Sequence, residues 1–436
     1  MFTLLFFRVV IVLLQSARSI RAMAEMLPPI VVDHLPAVHR SLRIAVVSET
    51  YAPEVNGVAL ALQHVVEGLC ALRHDVQLIR PRQAVDDLAQ QRNGSFEEVL
   101  MRGVPIPRYP EMKMGMPANK ALVALWSRHR PDLVYIATEG PLGWSALKIA
   151  RKLKLPVCSD FRTNFHAYSR HYGIGWLYRP IMDYLRKFHN RTAFTMVPSE
   201  QLRQDLRANG FERLVLVTRG VDTALFDPAR RSDAVRQLWG APPGTPVVLF
   251  VGRLAAEKNL GALVAAFLAM RRVQPRMRLV VVGVGPWHEQ LRAAVPDAFF
   301  AGTRRDEELA AFYASADMFV FPSMTETFGN VTLEAMASGL PVLAYDHASA
   351  GQLIRSGENG LLARLGDEAH FIDQAVRLAS DSAQAREMGW HARQTATGLG
   401  WPRIVKQVEE VMLATLASGA EERQADAVTQ PVAGVA

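Results

Sequence analysis

Residues 318–344 read MFVFPSMTETFGNVTLEAMASGLPVLA. Met318 to Phe321 is a short apolar run of the kind a strand covered on both faces requires. A turn-rich stretch carrying Glu326 and Gly329 follows, and Val331-Thr332-Leu333-Glu334-Ala335-Met336-Ala337 has the composition of a largely buried helix. Gly339 with Pro341 just beyond it is a helix stop. Pro341 to Ala344 is then a second apolar strand. Strand, turn, helix and strand make one unit of a parallel sheet, and such sheets bind ligands at the carboxyl ends of their strands. Glu326 and Glu334 fall at that end.

The alternation continues outward from this unit. Upstream, Pro246 to Gly252, Leu279 to Val282 and Ala298 to Ala301 are short apolar runs with helical patterns between them. An earlier series comprises Leu42 to Ser48, Val76 to Ile79, Leu133 to Ile136, Pro156 to Ser159, Phe194 to Val197 and Leu214 to Val217. Its first run leads through the turn-rich Tyr51 to Gly57 into a helical pattern from Val58 to about Arg73. The pattern predicts an α/β protein with two doubly wound parallel-sheet domains facing each other across a cleft, residues 41–220 and 221–400. Turn chemistry at Asp222, Asp227-Pro228, Gly240 and Pro242-Pro243-Gly244 places their junction between Thr218 and Pro246. The last helical pattern, Trp401 to Leu416, is expected to pack back on the first domain, and residues 417–436 are expected to form a disordered tail.

The 436 residues are 50% hydrophobic and 21% charged, enough for two cores. The net charge of +7 favours anionic partners, whether nucleotides, acidic lipid head groups or nucleic acid. No nucleic-acid recognition motif or basic-aromatic stripe supports the last of these. Cys70 and Cys158 lack metal-ligand spacing and read as buried reduced thiols of a cytoplasmic protein. Residues 1–40 lie ahead of the first domain. Met1 to Leu14 is apolar but interrupted by Arg8, too short for a confident membrane span, with Arg18 and Arg21 after it rather than before it. It reads either as an extension upstream of a true start at Met23 or Met26, or as an interfacial anchor or weak export signal.

Several loops carry chemistry. In Gly252-Arg253-Leu254-Ala255-Ala256-Glu257-Lys258-Asn259, two cations occupy one strand-to-helix connection, where they can hold a diphosphate, Arg as a fork and Lys as a point charge. A solvated basic loop is the plainer account of that segment taken alone. Gly283 and Gly285 sit in another such turn and allow close backbone approach to a base or phosphate, or simply make the turn. The motif is not a dinucleotide fingerprint, since Pro286-Trp287-His288 supplies no third glycine. Glu326 and Glu334 can accept hydrogen bonds from sugar hydroxyls, and amides at the helix start suit a phosphate, so this constellation reads as a nucleotide-sugar site. Surface acids are the alternative, opposed by the apolar helix around Glu334. In the first half, Asp160-Phe161-Arg162-Thr163-Asn164-Phe165-His166 follows a strand, and His166 is the candidate there. The basic amphipathic run Arg179 to Arg191 reads as a surface helix that packs one face on the sheet, with contact to anionic lipid as the other reading.

Taken together, these residues resemble the retaining GT-B fold glycosyltransferases that include phosphatidylinositol mannosyltransferases, diacylglycerol glycosyltransferases and sucrose synthases. The resemblance spans about Leu42 to Leu416. It rests on the Gly-Arg-Leu-x-x-Glu-Lys-Asn loop, on the 326–334 segment, and on Glu334 to Val342. It implies that Arg253 and Lys258 neutralise the donor diphosphate, that Glu334 accepts the ribose hydroxyls, and that Glu326 with the amides of Phe328, Gly329 and Asn330 holds the sugar. It further implies that Gly57 lines the cleft beside the diphosphate and that His166 faces the sugar from the other domain. The family usually carries two glycines where this chain has Asn56-Gly57. The Asp-Phe-Arg-Thr-Asn-Phe-His segment and Pro-x-Val-Asn-Gly look most like GDP-mannose-dependent α-mannosyltransferases. What the resemblance implies overall is a metal-independent hexosyltransferase with no cofactor beyond a GDP- or UDP-linked donor. Its acceptor would be a lipid or glycan. The cysteines favour a cytoplasmic protein, and the charge, the 179–191 run and the amino-terminal segment favour one peripheral at the inner, anionic membrane face. A UDP-sugar-dependent diacylglycerol glycosyltransferase, an epimerase or phosphorylase on the same architecture, and a non-catalytic nucleotide-sugar-binding protein are the competing expectations.

Overall fold

The computed structural model describes residues 41–52, 54, 56–83, 87, 96–106, 109–162 and 178–429. Its first sheet uses β1 (Arg43–Val47), β2 (Asp75–Pro81) and β3 (Phe96–Met101), passes over the antiparallel hairpin of β4 (Gly103–Ile106) and β5 (Tyr109–Gly115), and adds β6 (Leu133–Ile136), β7 (Val157–Asp160), β8 (Phe194–Val197) and β9 (Leu214–Leu216). The order across it is β3-β2-β1-β6-β7-β8-β9. The second sheet comprises β10 (Val247–Val251), β11 (Arg278–Val282), β12 (Phe299–Gly302), β13 (Met318–Phe321), β14 (Val342–Tyr345) and β15 (Gly360–Ala363), in the order β12-β11-β10-β13-β14-β15. Both sheets are parallel throughout, and in both the chain winds outward one way, then returns to the centre and winds the other way. The reversal falls between β1 and β6 in one sheet and between β10 and β13 in the other.

The strands are continuous apolar runs because both faces are covered. In β1, Ile44 and Val46 join a core with Leu62, Val66 and Leu69 of the Gly57–Ala71 helix, while Ala45 and Val47 join another with Trp126, Leu142 and Leu147. Asn56 starts the Gly57–Ala71 helix, its side-chain oxygen accepting from the Val58 and Ala59 amides at 3.1 and 2.8 Å. Val217 belongs to the first sheet's core and Val221 to the second's. The chain crosses between the sheets again near Gly400, which pairs with Val221 as an isolated parallel bridge. Cys158 is buried, which pushes its thiol up to about 12, and Cys70 is half-buried, its thiol pushed up to about 11.

Three elements escaped the strand pattern: β3, the β4–β5 hairpin and β15. The C-terminal end also needs correction. The final helix runs from Trp401 to Thr429, past Leu416 and through most of the stretch expected to be a disordered tail. Its extension, Ala-Glu-Glu-Arg-Gln-Ala-Asp-Ala, is built almost wholly of good helix formers. Ile404, Val405, Val408, Val411 and Met412 of this helix lie in the first sheet's core. Among the described residues, no helix is long and apolar enough to cross a membrane. His166 and residues 1–40 lie outside the described residues.

Candidate functional site

The reversal of strand order in the second sheet separates the loops that follow β10 and β13, leaving a crevice at their carboxyl ends. The β10 loop carries Arg253 and Lys258. It turns through the short 3-10 helix Ala256–Lys258 to Asn259, whose φ of 51° is left-handed, before the Leu260–Val273 helix begins. The β13 loop carries Glu326 and ends at Gly329, whose φ of 90° requires glycine, before the Asn330–Ala337 helix. Gly329 offers no side chain to the first amides of that helix, so no cap competes for them.

The two loops meet through an ion pair between the Lys258 ammonium and the Glu326 carboxylate. Ser323 Oγ donates to the same carboxylate oxygen at 2.6 Å. Burial alone would raise the Glu326 carboxyl, but the Lys258 charge and these hydrogen bonds outweigh it and hold the group below its ordinary value. The Lys258 ammonium also stands 5.3 Å from the centre of the Phe321 ring. Arg253 pairs with Glu257, a carboxylate only 3% exposed. Glu334 lies one turn into the helix and accepts from Tyr313 Oη at 2.9 Å. Burial pushes its carboxyl up to about 7, the tyrosine hydrogen bond only partly opposing this.

Of the remaining candidates, Phe328 places its ring in the core and its carbonyl on the Ser349 amide at 2.8 Å, so it shapes the turn from below. Gly57 comes close from the other half: a Cβ built on it would stand 3.6 Å from Asn330 Nδ2. Asn56, in place of a second glycine, is the helix cap already described. Gly283 and Gly285 have a structural explanation. A Cβ on Gly283 would come 1.9 Å from the Gly252 carbonyl oxygen, and one on Gly285 2.3 Å from that of Leu254. The close approach they permit is to the backbone of the Arg253 loop.

Some participants were not singled out beforehand. Glu257 was visible within the quoted loop, but nothing in a sequence says that it holds Arg253. Tyr313 and Ser323 gave no signal, because their partners are defined by packing. His347, after β14, approaches Gln201 of the Glu200–Ala208 helix in the other half, Nδ1 to Oε1 at 3.2 Å, and the Ala348 amide donates to the same oxygen at 3.4 Å. Burial lowers the His347 imidazole despite the neighbouring Glu326, Asp205 and Asp346 charges.

The first sheet offers a contrasting crevice. Glu49, in the β1 loop, accepts at Oε1 from the Leu142 amide at 2.9 Å and at Oε2 from the Gly115 amide. Leu142 lies in the first turn of the Pro141–Lys152 helix, which follows β6 as the Asn330–Ala337 helix follows β13. A carboxylate therefore occupies the helix start that corresponds to the open one in the second sheet.

Comparison with known proteins agrees with this division. Residues 245–381 match the family described as glycosyl transferases group 1, and residues 55–225 match glycosyltransferase family 4. A GDP-mannose-dependent alpha-mannosyltransferase of Mycobacterium tuberculosis is 33% identical over 368 residues, 84% of this chain and 95% of that protein. An alpha-monoglucosyldiacylglycerol synthase of Streptococcus pneumoniae is 28% identical over 74% of this chain and 75% of its own. Among solved structures, a sucrose-phosphate synthase from Thermosynechococcus elongatus superposes with a TM-score of 0.74 at 21% identity, covering 87% of this chain and 100% of that one. Anabaena HepE, solved with UDP and glucose, superposes at 0.68 with 19% identity, covering 86% and 100%. Two facing Rossmann-like sheets, family matches in both halves and a relative one-third identical along almost its whole length show that the chain belongs to the group 1 glycosyltransferases, enzymes of the GT-B fold.

Proposed function

We propose that the enzyme transfers a mannosyl group from GDP-mannose to a lipid or glycan acceptor, with retention of anomeric configuration and without a metal ion, working at the cytoplasmic side of a membrane. The observation that carries this reading is the meeting of Lys258 and Glu326 beside the uncapped start of the Asn330–Ala337 helix. Cations and open amides suit a diphosphate, and the adjoining carboxylate suits the hydroxyls of the sugar it bears. Support for mannose comes from relatives in Mycobacterium tuberculosis, Corynebacterium glutamicum and Mycolicibacterium smegmatis, each named a GDP-mannose-dependent alpha-mannosyltransferase and 32–33% identical to this chain.

In the proposed reaction the bond from the anomeric carbon to the β-phosphate oxygen breaks, and a bond from that carbon to the acceptor oxygen forms on the same face. The acceptor proton passes to the departing diphosphate. Arg253, Lys258 and the helix-start amides stabilise the charge that develops on that phosphate. Glu334 accepts the ribose hydroxyls, Glu326 orients the sugar, and His166 faces it from the other half.

The test incubates the pure protein with a panel of GDP- and UDP-sugars and a lipid extract, with and without a chelator, and weighs the products. A hexose added only from GDP-mannose, at a rate the chelator leaves unchanged and with α configuration by NMR, is the expected result. A glucosylated diacylglycerol formed from UDP-glucose would replace the donor assignment. Nucleotide binding with neither transfer nor donor hydrolysis would leave the proposal without support.

A further inference from the structure

The two cations of the β10 loop are held in unlike ways. Lys258 and Glu326 are covered to the same degree, their side chains 16% and 18% exposed. In the other pair the members are graded: the Glu257 side chain is 3% exposed and that of Arg253 43%. The carboxylate therefore lies beneath, and the guanidinium reaches outward from it. Glu257 stands four residues after Arg253, in the short 3-10 turn Ala256–Lys258. Among the described residues, Arg253 is the one ion-pair partner that Glu257 has.

The backbone around Arg253 is fixed by other means. The Gly252 amide donates to the Val282 carbonyl at 3.0 Å, the Leu254 amide to the Val284 carbonyl at 3.0 Å, and the Trp287 amide to the Leu254 carbonyl at 2.9 Å. Both chain neighbours of Arg253 are thus tied to β11 and its loop, and Leu254 and Ala255 are buried. What the ion pair adds is order in the long side chain. Freezing a mobile arginine on a ligand weakens affinity by up to about thirtyfold. A carboxylate that already holds the side chain removes much of that loss before the ligand arrives. Its own repulsion of a phosphate about 5 Å away in a wet crevice opposes this by only about fourfold. Orientation outweighs repulsion. The pair also outlasts binding, because a carboxylate at this depth left without its cation is strongly disfavoured.

We propose that Glu257 is a positioning residue: it holds the Arg253 guanidinium toward the donor diphosphate before and during binding, and does not touch the donor itself. This inference rests on the assignment of Arg253 to the diphosphate in the proposed function. It separates the two ion pairs by role. Lys258 and Glu326 part when a donor binds, whereas Arg253 and Glu257 stay together. Removing the two carboxylates should therefore move nucleotide affinity in opposite directions, since a partner that only neutralised its cation would tighten binding when lost.

The experiment is a double-mutant cycle on the full chain, with affinities for GDP and for UDP read by calorimetry at matched circular dichroism spectra. Arg253→Ala is expected to weaken whichever diphosphate the original chain binds by about tenfold to a hundredfold. Glu257→Gln keeps the shape and removes the charge, and should weaken it by about fivefold to tenfold. The double variant R253A/E257Q should bind no worse than Arg253→Ala alone. Should Glu257→Gln not fold, Glu257→Asp goes through the same cycle. Additive losses would overturn the inference, because a residue that only supports the loop weakens binding by the same factor with or without Arg253. Unchanged or tighter binding by Glu257→Gln, beside a loss in Arg253→Ala, would overturn it too and leave the proposed function standing. Full affinity in Arg253→Ala would instead remove the assignment of Arg253, and the inference with it.

Discussion

Lys258 and Glu326 pair with one another in the free protein; on the proposed reading a donor separates them, the ammonium turning to the diphosphate and the carboxylate to the sugar. Glu326→Ala is therefore expected to lower turnover by about tenfold to a hundredfold, the range of a lost hydrogen bond to a charged group. Nucleoside diphosphate affinity should stay level or rise, because Lys258 is freed. Steady-state kinetics beside calorimetry checks this, and unchanged turnover with a weakened nucleotide would contradict the assignment. Glu334 makes a different prediction. Its carboxyl is raised to about 7 by burial, whereas binding ribose hydroxyls as an acceptor favours the carboxylate. Affinity for nucleoside diphosphate should then fall as pH drops below about 7, approaching tenfold per pH unit, and Glu334→Gln should remove that slope in calorimetric titrations. In stability the sign is opposite: with the folded value above the unfolded one, this group's contribution is present at low pH and lost as pH rises through about 7.

Among the elements, the Pro141–Lys152 helix depends on a carboxylate from a distant loop, since Gly140 provides no side-chain cap of its own. Glu49→Ala is expected to destabilise the protein by about 1–3 kcal/mol, from the lost cap and the amides left buried. Nucleoside diphosphate affinity should be unaltered. Chemical denaturation measures the first outcome, and a loss of nucleotide binding by the folded variant would refute the second. Most strands were legible because a strand buried on both faces must be a continuous apolar run. The exceptions share a cause: β3 carries Glu97 and Glu98, β4 contains Pro105, and β15 begins on a glycine at the edge of its sheet. Edge strands and hairpins need less burial, so periodicity marks them weakly. The loops of Arg253, Lys258 and Glu326 and the helix start before Glu334 were equally legible, each being a local cluster at a strand end. Tyr313 against Glu334, Glu257 against Arg253 and Gln201 against His347 were not, because the tertiary fold alone brings them together.

At the scale of the whole molecule, the two sheets touch beside the second sheet's crevice through few polar contacts among the described residues. Gln201 accepts from the Ala348 amide, contacts His347, and lies with Glu326 and Thr327 along the same small crevice. His347→Ala and Gln201→Ala are expected to lower turnover by up to about tenfold, the worth of one or two ordinary hydrogen bonds. Nucleoside diphosphate binding, assigned to the second sheet in the proposed function, should hardly change. Equal losses in both quantities would show instead that the contact merely supports the fold. The crossings between sheets are more tightly constrained: at Gly220 a Cβ would stand 3.0 Å from the Trp401 Cα, and the Trp401 ring stacks on His64 at 4.7 Å.

The carboxylate of Glu49 has a consequence for the direction of traffic. The two sheets are wound alike, and either could in principle have received an anion at its central helix. One doorway is filled from within by a negative side chain, whereas its counterpart opens between a lysine and an unblocked helix start. On the proposed reading a donor therefore has one berth, in the second sheet, and the single carboxylate of Glu49 is what sets the two otherwise similar helix starts apart.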